Sequence, residues 1–132
     1  MALIKTKRKV TYDEGIFKVQ GSAGSSTISL ATDLLGSNEV INGTPKVTIA
    51  GLSWTGTLDS IITITRNSVI IFTLQAGATG FLDFGGQMFP PDNIEDTSDI
   101  VVTINNNQGE LYIRLRKVAG YKNTDELTLL SG

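Results

Sequence analysis

The chain contains no histidine and no cysteine. A Ser-His-Asp triad, a Cys-His pair and a His-ligated zinc site are therefore excluded. A disulfide framework is excluded as well, so nothing can crosslink the fold through sulfur. No imidazole is present to switch charge near neutral pH. Long apolar runs are also missing. The longest near-apolar stretch, Val69 to Leu74, has the length of a strand and falls far short of the roughly 20 residues of a membrane helix. Charge is scarce, at 18% of residues, and nearly balanced, with 11 basic and 13 acidic residues giving a net charge of -2. That balance does not suit a nucleic-acid coat or a binder of membrane surfaces. The chain opens Met1-Ala2-Leu3-Ile4 and turns basic at once, without the apolar core of a secretory signal. It reads as a protein made in a cytoplasm.

What remains is a chain of 132 residues, enough for one domain with its own core. Threonine, serine, asparagine and 14 glycines take the place of charge. Such a composition suits sheets, and it suits surfaces that meet other protein chains, where a charge would have to be desolvated. No helical periodicity stands out. The best candidate is Ala31 to Gly36, where Asp33 would cap a single turn stopped by Gly36. Strand signals fill the rest. Gly15 to Gln20 and Ser26 to Ala31 read as strands parted by a Gly/Ser loop, and Asn42-Gly43 reads as a tight turn.

Between Lys46 and Gly56 the apolar face changes phase. Val47 and Ile49 share one parity, whereas Leu52 and Trp54 share the other, after Gly51. A one-residue shift at a glycine marks a β-bulge and returns Trp54 to the core side. Ile61 to Arg66 and Val69 to Gln75 form a hairpin across Asn67-Ser68, apolar on both faces, as in a strand that is central or covered by a second layer. Ile100 to Asn105 and Glu110 to Val118 read as a second hairpin. Here Ile100, Val102, Ile104, Leu111, Ile113 and Leu115 point inward, and Tyr112, Arg114 and Arg116 point outward. The expected fold is all-β: a single-domain antiparallel β-sandwich or β-barrel over residues 15–132, with a basic extended N-terminal arm over residues 1–14.

Few residues offer chemistry. Asp13, Glu14, Asp33, Glu39, Asp59 and Asp83 mostly sit beside turns and read as solvated loop acids. The run from Asp92 to Asp99 is rich in oxygen ligands but lacks the alternating ligands and central glycine of a calcium loop. No glycine-rich phosphate cradle precedes a helix. The chain reads as a non-enzyme with no cofactor and no metal. Candidate partner contacts are of two kinds. The arm carries Lys5, Lys7, Arg8 and Lys9, four of the 11 basic residues, and would lie on an acidic neighbouring surface. The stretch Phe84 to Asp92, with two glycines and two prolines, excludes a central strand and reads as a loop displaying Met88 and Phe89.

Three segments together carry a resemblance: Ile49 to Gly56 (IAGLSWTG), Ile61 to Phe72 (IITITRNSVIIF) and Asp99 to Ile104 (DIVVTI). They resemble small virion structural proteins of tailed bacteriophages, in the style of marine and cyanobacterial phages. The resemblance spans about half of the chain. It implies an all-β protein present in many copies on the virion. The preferred member of the class is a capsid decoration (cement) protein on the capsid exterior. Such a protein would bind the major capsid protein, often as a trimer, without nucleic acid or membrane as a partner. The alternatives are a neck or tail connector subunit and, from a different class, a carbohydrate-binding or host-adhesion β-sandwich.

Overall fold

The computed structural model describes residues 3–11, 13–77, 79–83, 97–105 and 107–123. Nine strands occur among them, and no helix: β1 (Ile4–Val10), β2 (Glu14–Gly21), β3 (Gly24–Ile28), β4 (Glu39–Gly56), β5 (Ile61–Arg66), β6 (Val69–Gln75), β7 (Gly80–Asp83), β8 (Ile100–Asn105) and β9 (Gly109–Asn123). They form two antiparallel sheets, ordered β1-β2-β9-β4-β7 and β3-β8-β5-β6. The sheets pack as a sandwich and do not close into a barrel. Without β1, the order β2-β9-β4-β7 facing β3-β8-β5-β6 is that of a jelly roll, in which successive strands cross repeatedly from one sheet to the other.

The period-two pattern explains the core. Inward positions of β2, β4 and β9 supply Phe17, Val19, Ile49, Leu52, Leu111, Ile113 and Leu115. The facing sheet supplies Ile28, Ile62, Ile64, Leu74, Ile100, Val102 and Ile104. Most of these side chains are fully buried, and each contributes about 1.5–3 kcal/mol relative to exposure. The expected bulge lies at Ala50: Ile49 pairs with Leu115, and Gly51 pairs with the next residue back, Arg114. Trp54 therefore does face the core, half-buried at its edge. It is covered by the backbone of Gly80, where a Cβ would strike the indole ring. The β5–β6 hairpin also forms as expected, with Asn67 and Ser68 both at positive φ (49° and 63°) in the manner of a type I′ turn.

Several expectations change. β8 and β9 are not a hairpin: β8 pairs with β3 and β5, while β9 pairs with β2 and β4 in the other sheet. Both strands alternate toward the same core, and alternation does not say from which side a strand approaches it. Asn42-Gly43 does not turn the chain. Both residues lie within β4, where pairing with β9 breaks between Ile41 and Lys46. Gly43 (φ 88°) and Gly120 (φ 89°) let both strands bend there. The Asp33 segment forms a turn without a helix: Asp33 N–H donates to Ser29 O, and Asp33 Oδ2 accepts from Ser29 N–H. The doubly apolar β6 is not central but an edge strand. Residues 4–10, expected within the arm, form the edge strand β1, paired with β2 from Ile4 opposite Gln20 to Val10 opposite Gly15. No helix of the described residues is long and apolar enough to cross a membrane.

Candidate contact surfaces

The two sheets differ sharply in charge. Ten of the 11 basic residues lie in strands of the five-stranded sheet. The eleventh, Arg66, is the only charged residue in β3, β5, β6 and β8, and it is 2% exposed. Among the described residues, these four strands thus put no charge on the outer face of their sheet. Pairing sets its side chains in rows across the strands. Ser25 stands opposite Thr103, Thr103 opposite Thr63, and Thr63 opposite Thr73. In the next row Thr27, Val101, Thr65 and Ile70 follow one another, and beyond the first row lie Asn105, Ile61 and Gln75. With strands about 4.8 Å apart, the first row is a line of four hydroxyls across the sheet. Hydroxyl, amide and aliphatic groups lose much less on leaving water than a charge does.

The outer face of the five-stranded sheet is its opposite. It carries Glu14, Lys18, Glu110, Arg114 and Arg116, and some of these charges are matched on the surface itself. Lys18 Nζ lies 3.8 Å from Glu110 Oε2 and 5.7 Å from the centroid of Tyr112. A shallow depression, of about 240 Å³, is bordered by Ile16, Ser53, Tyr112 and Arg114. Beside it the row Phe81, Ser53, Tyr112 crosses three strands. Phe81 is 76% exposed and Tyr112 37%. Two strand spacings, about 9.6 Å, separate these aromatic side chains. Sequence reasoning turned Tyr112 outward but passed over Phe81, because β7 is only four residues long and lacks a clear alternating pattern.

The basic residues singled out from the sequence divide in two. Lys5 is used within the fold: its Nζ lies 2.5 Å from Asp33 Oδ2 and donates to Thr27 O at 2.8 Å, tying β1 to the neighbouring sheet edge. Lys9 pairs with Glu14 at 3.0 Å. Lys7 and Arg8 are exposed, at the point where the β1–β2 register shifts. Met88 and Phe89 lie outside the described residues, as does most of the acidic stretch. Its last residue, Asp99, accepts a hydrogen bond from Leu30 N–H at 2.9 Å. Among the described residues no group of three or more acidic side chains converges on a point where a metal could sit.

No protein-family model matches the sequence, and a search of curated proteins finds no match.

At one end of the sandwich a polar cluster ties the crossing loops together. Lys117 points inward from β9, pairs with Glu39 at 2.5 Å and donates to Thr11 O at 2.8 Å. Glu39 Oε1 also accepts from Gly36 N–H at 2.7 Å. The Lys117 ammonium sits 4.5 Å from the Tyr121 ring centroid, and the Tyr121 hydroxyl donates to Leu30 O. Burial raises the Tyr121 pKa well above its ordinary 10.0, and the charges of Glu39 and Asp99 push it the same way. An acid whose pKa is raised by folding contributes stability that is intact below the unfolded value and is lost as pH climbs past it. Wild-type stability should therefore fall more steeply than that of Tyr121→Phe between about pH 9 and about pH 11, as urea denaturation at the two pH values would measure. The contacts of this cluster join β4, β9 and the loops that carry Thr11, Leu30 and Gly36.

Proposed function

We propose that this protein is a structural, protein-binding module that docks through the outer face of its four-stranded sheet, and that its place is on a virion as a capsid decoration protein. The observation that carries the reading is the charge-free face: four strands whose one charged residue is buried. Interface cores are depleted in charged residues, and a flat, neutral sheet face can be covered by another protein without stranding a charge. The resemblance of the Ile49, Ile61 and Asp99 segments to small phage virion proteins supports the placement, and two of those segments contribute β5, most of β6 and most of β8 to this face. Jelly rolls serve as capsid and lectin domains alike, so the fold alone does not choose between them.

The test is co-sedimentation of the purified protein with undecorated heads of the phage that encodes it. Saturable binding is expected, and Thr63→Lys, which places an ammonium in the middle of the neutral face, should reduce affinity at least about tenfold through uncompensated desolvation. Binding that is unchanged by Thr63→Lys, or absence of the protein from virions by mass spectrometry, would defeat the proposal.

A second reading has its own observation. The exposed Phe81 and Tyr112 in one row could stack on a sugar chain, as a host-adhesion module requires. The two readings use opposite faces of the sandwich. Glycan-array binding that is lost in Phe81→Ala and retained in Thr63→Lys would favour adhesion.

A further inference from the structure

An asparagine-glycine pair within a strand is ordinarily restrained by the ladder, whose hydrogen bonds hold the backbone extended. Asn42-Gly43 lies in β4 but outside the ladder. Ile41 pairs with Tyr121 and Lys46 with Ala119, so residues 42–45 of β4 are set against Gly120 alone. The far end of this bulge rests on β9: a Cβ at Gly120 would strike Pro45 and Thr44. The near end stands clear. Asn42 and Gly43 are both exposed, and among the described residues nothing comes within 4 Å of the place a Cβ of Gly43 would take. Gly43 itself has a φ of 88°, well away from the extended strand conformation.

We infer that Asn42 is a site of spontaneous modification in the folded protein, deamidating through a cyclic imide with the backbone of Gly43. Hydroxide takes the proton of the Gly43 amide, and the nitrogen attacks Asn42 Cγ. The N–Cγ bond forms, the Cγ–Nδ2 bond breaks, and the side-chain nitrogen leaves with a proton from water as ammonia. Water then opens the imide. Attack at Cγ restores the main chain and leaves aspartate; attack at the backbone carbonyl leaves isoaspartate, with the chain running through Cβ and Cγ. Glycine is the residue that lets the nitrogen approach, because it carries no side chain to crowd the ring. Two other asparagines are placed less well. Asn67 is followed by Ser68, whose Cβ stands beside the attacking nitrogen, in a turn closed by the pairing of Arg66 with Val69. The Asn107 amide is held by its Nδ2 donating to Leu58 O at 2.6 Å. The inference does not rest on the docking reading, since β4 belongs to the other sheet.

The experiment ages the full chain at mildly alkaline pH, folded and unfolded in urea, for wild type and Asn42→Gln. Isoelectric focusing and intact mass read the extent, fragmentation of proteolytic peptides reads the position, and labelling by an isoaspartyl methyltransferase reads the isomer. Asn42 is exposed, so the variant should keep the wild-type circular dichroism spectrum. Folded wild type should accumulate a more acidic form, its net charge moving from -2 to -3 as one neutral amide becomes one carboxylate. The change should map to Asn42, include isoaspartate, and proceed at a rate of the same order as in the unfolded chain, because the bulge leaves the pair outside the ladder. Asn42→Gln should lose this acidic form, since its longer side chain closes the ring poorly. A folded wild type that stays unmodified while the unfolded chain converts would overturn the inference. So would conversion at another asparagine ahead of Asn42, or an acidic form that persists in Asn42→Gln.

Discussion

Replacing Glu39 by alanine is expected to lower the unfolding free energy by about 3–5 kcal/mol. The reason lies in what stays behind. The Lys117 side chain is 2% exposed and the Glu39 side chain 6%, so the pair is shielded from water. Truncating the acid leaves an ammonium inside the protein with one carbonyl, Thr11 O, and the face of Tyr121 as company. It also frees the N–H of Gly36. The double variant Glu39→Leu/Lys117→Met tests the mechanism. It removes both charges together, and should recover more than half of the loss, because the pair's own net contribution is small once its desolvation is counted. Urea denaturation of the three proteins supplies the comparison. A single variant within 1 kcal/mol of wild type, an interval on the order of a surface pair, would show that the cluster is not shielded in solution.

The second large effect is expected at Arg66. Its guanidinium lies between the sheets, donating from Nη1 to Val47 O at 2.7 Å, and from Nη2 and Nε to Ser98 O at 2.9 and 3.2 Å. One side chain thus fixes β5 to β4 in the opposite sheet and to the residues that lead into β8. Arg66→Ala leaves these carbonyls without their donors, at about 1–3 kcal/mol each, and removes a long buried side chain. A total loss of about 3 kcal/mol or more is expected. Arg66→Lys should rescue less than half of it, because a single ammonium cannot reproduce the fork that reaches two carbonyls in different directions. Thermal unfolding of the two variants would show this, and equal stability of Arg66→Lys and wild type would contradict it.

Both sites were hard to read from the chain. Glu39 stood among acids that looked like solvated loop residues. Lys117 is one of several basic residues in β9, and only its parity, shared with Leu111, Ile113 and Leu115, turns it inward. That parity was available: Val47, which pairs with Lys117, belongs to the inward set. The partner was not available, because Glu39 lies 78 residues away and reaches Lys117 only through the pairing of β4 with β9. Arg66 closes an apolar hairpin strand, in the same parity as the buried Ile62 and Ile64. Ser98 and Val47, which accept from it, belong to segments that the sequence does not connect to it.

The neutral face shows the same division. A low content of charge was plain from composition, and so was the abundance of Thr and Ser. Composition does not reveal that basic residues gather on one sheet, because sheet membership is set by pairing between distant segments. The basic residues Lys5, Lys7, Arg8 and Lys9 looked like a projecting arm for the same reason. Whether such a segment stands off or pairs depends on the strand beside it, here β2, and Lys5 reaches Asp33 from that strand edge.

The sequence by itself determined which side of β4, β8 and β9 faces the core, where β4 bulges, where β5 turns into β6, and that histidine and cysteine chemistry has no place in the molecule. These are local properties: a period of two, a glycine-associated phase shift, a pair of residues tolerant of positive φ, a residue type that is absent. Only the tertiary structure decided which strands share a sheet, that β8 and β9 part company, that β6 is the last strand of its sheet among the described residues, and that the charges of the described strands fall on one sheet. Each of these depends on contacts between segments tens of residues apart, which alternation along one strand does not encode.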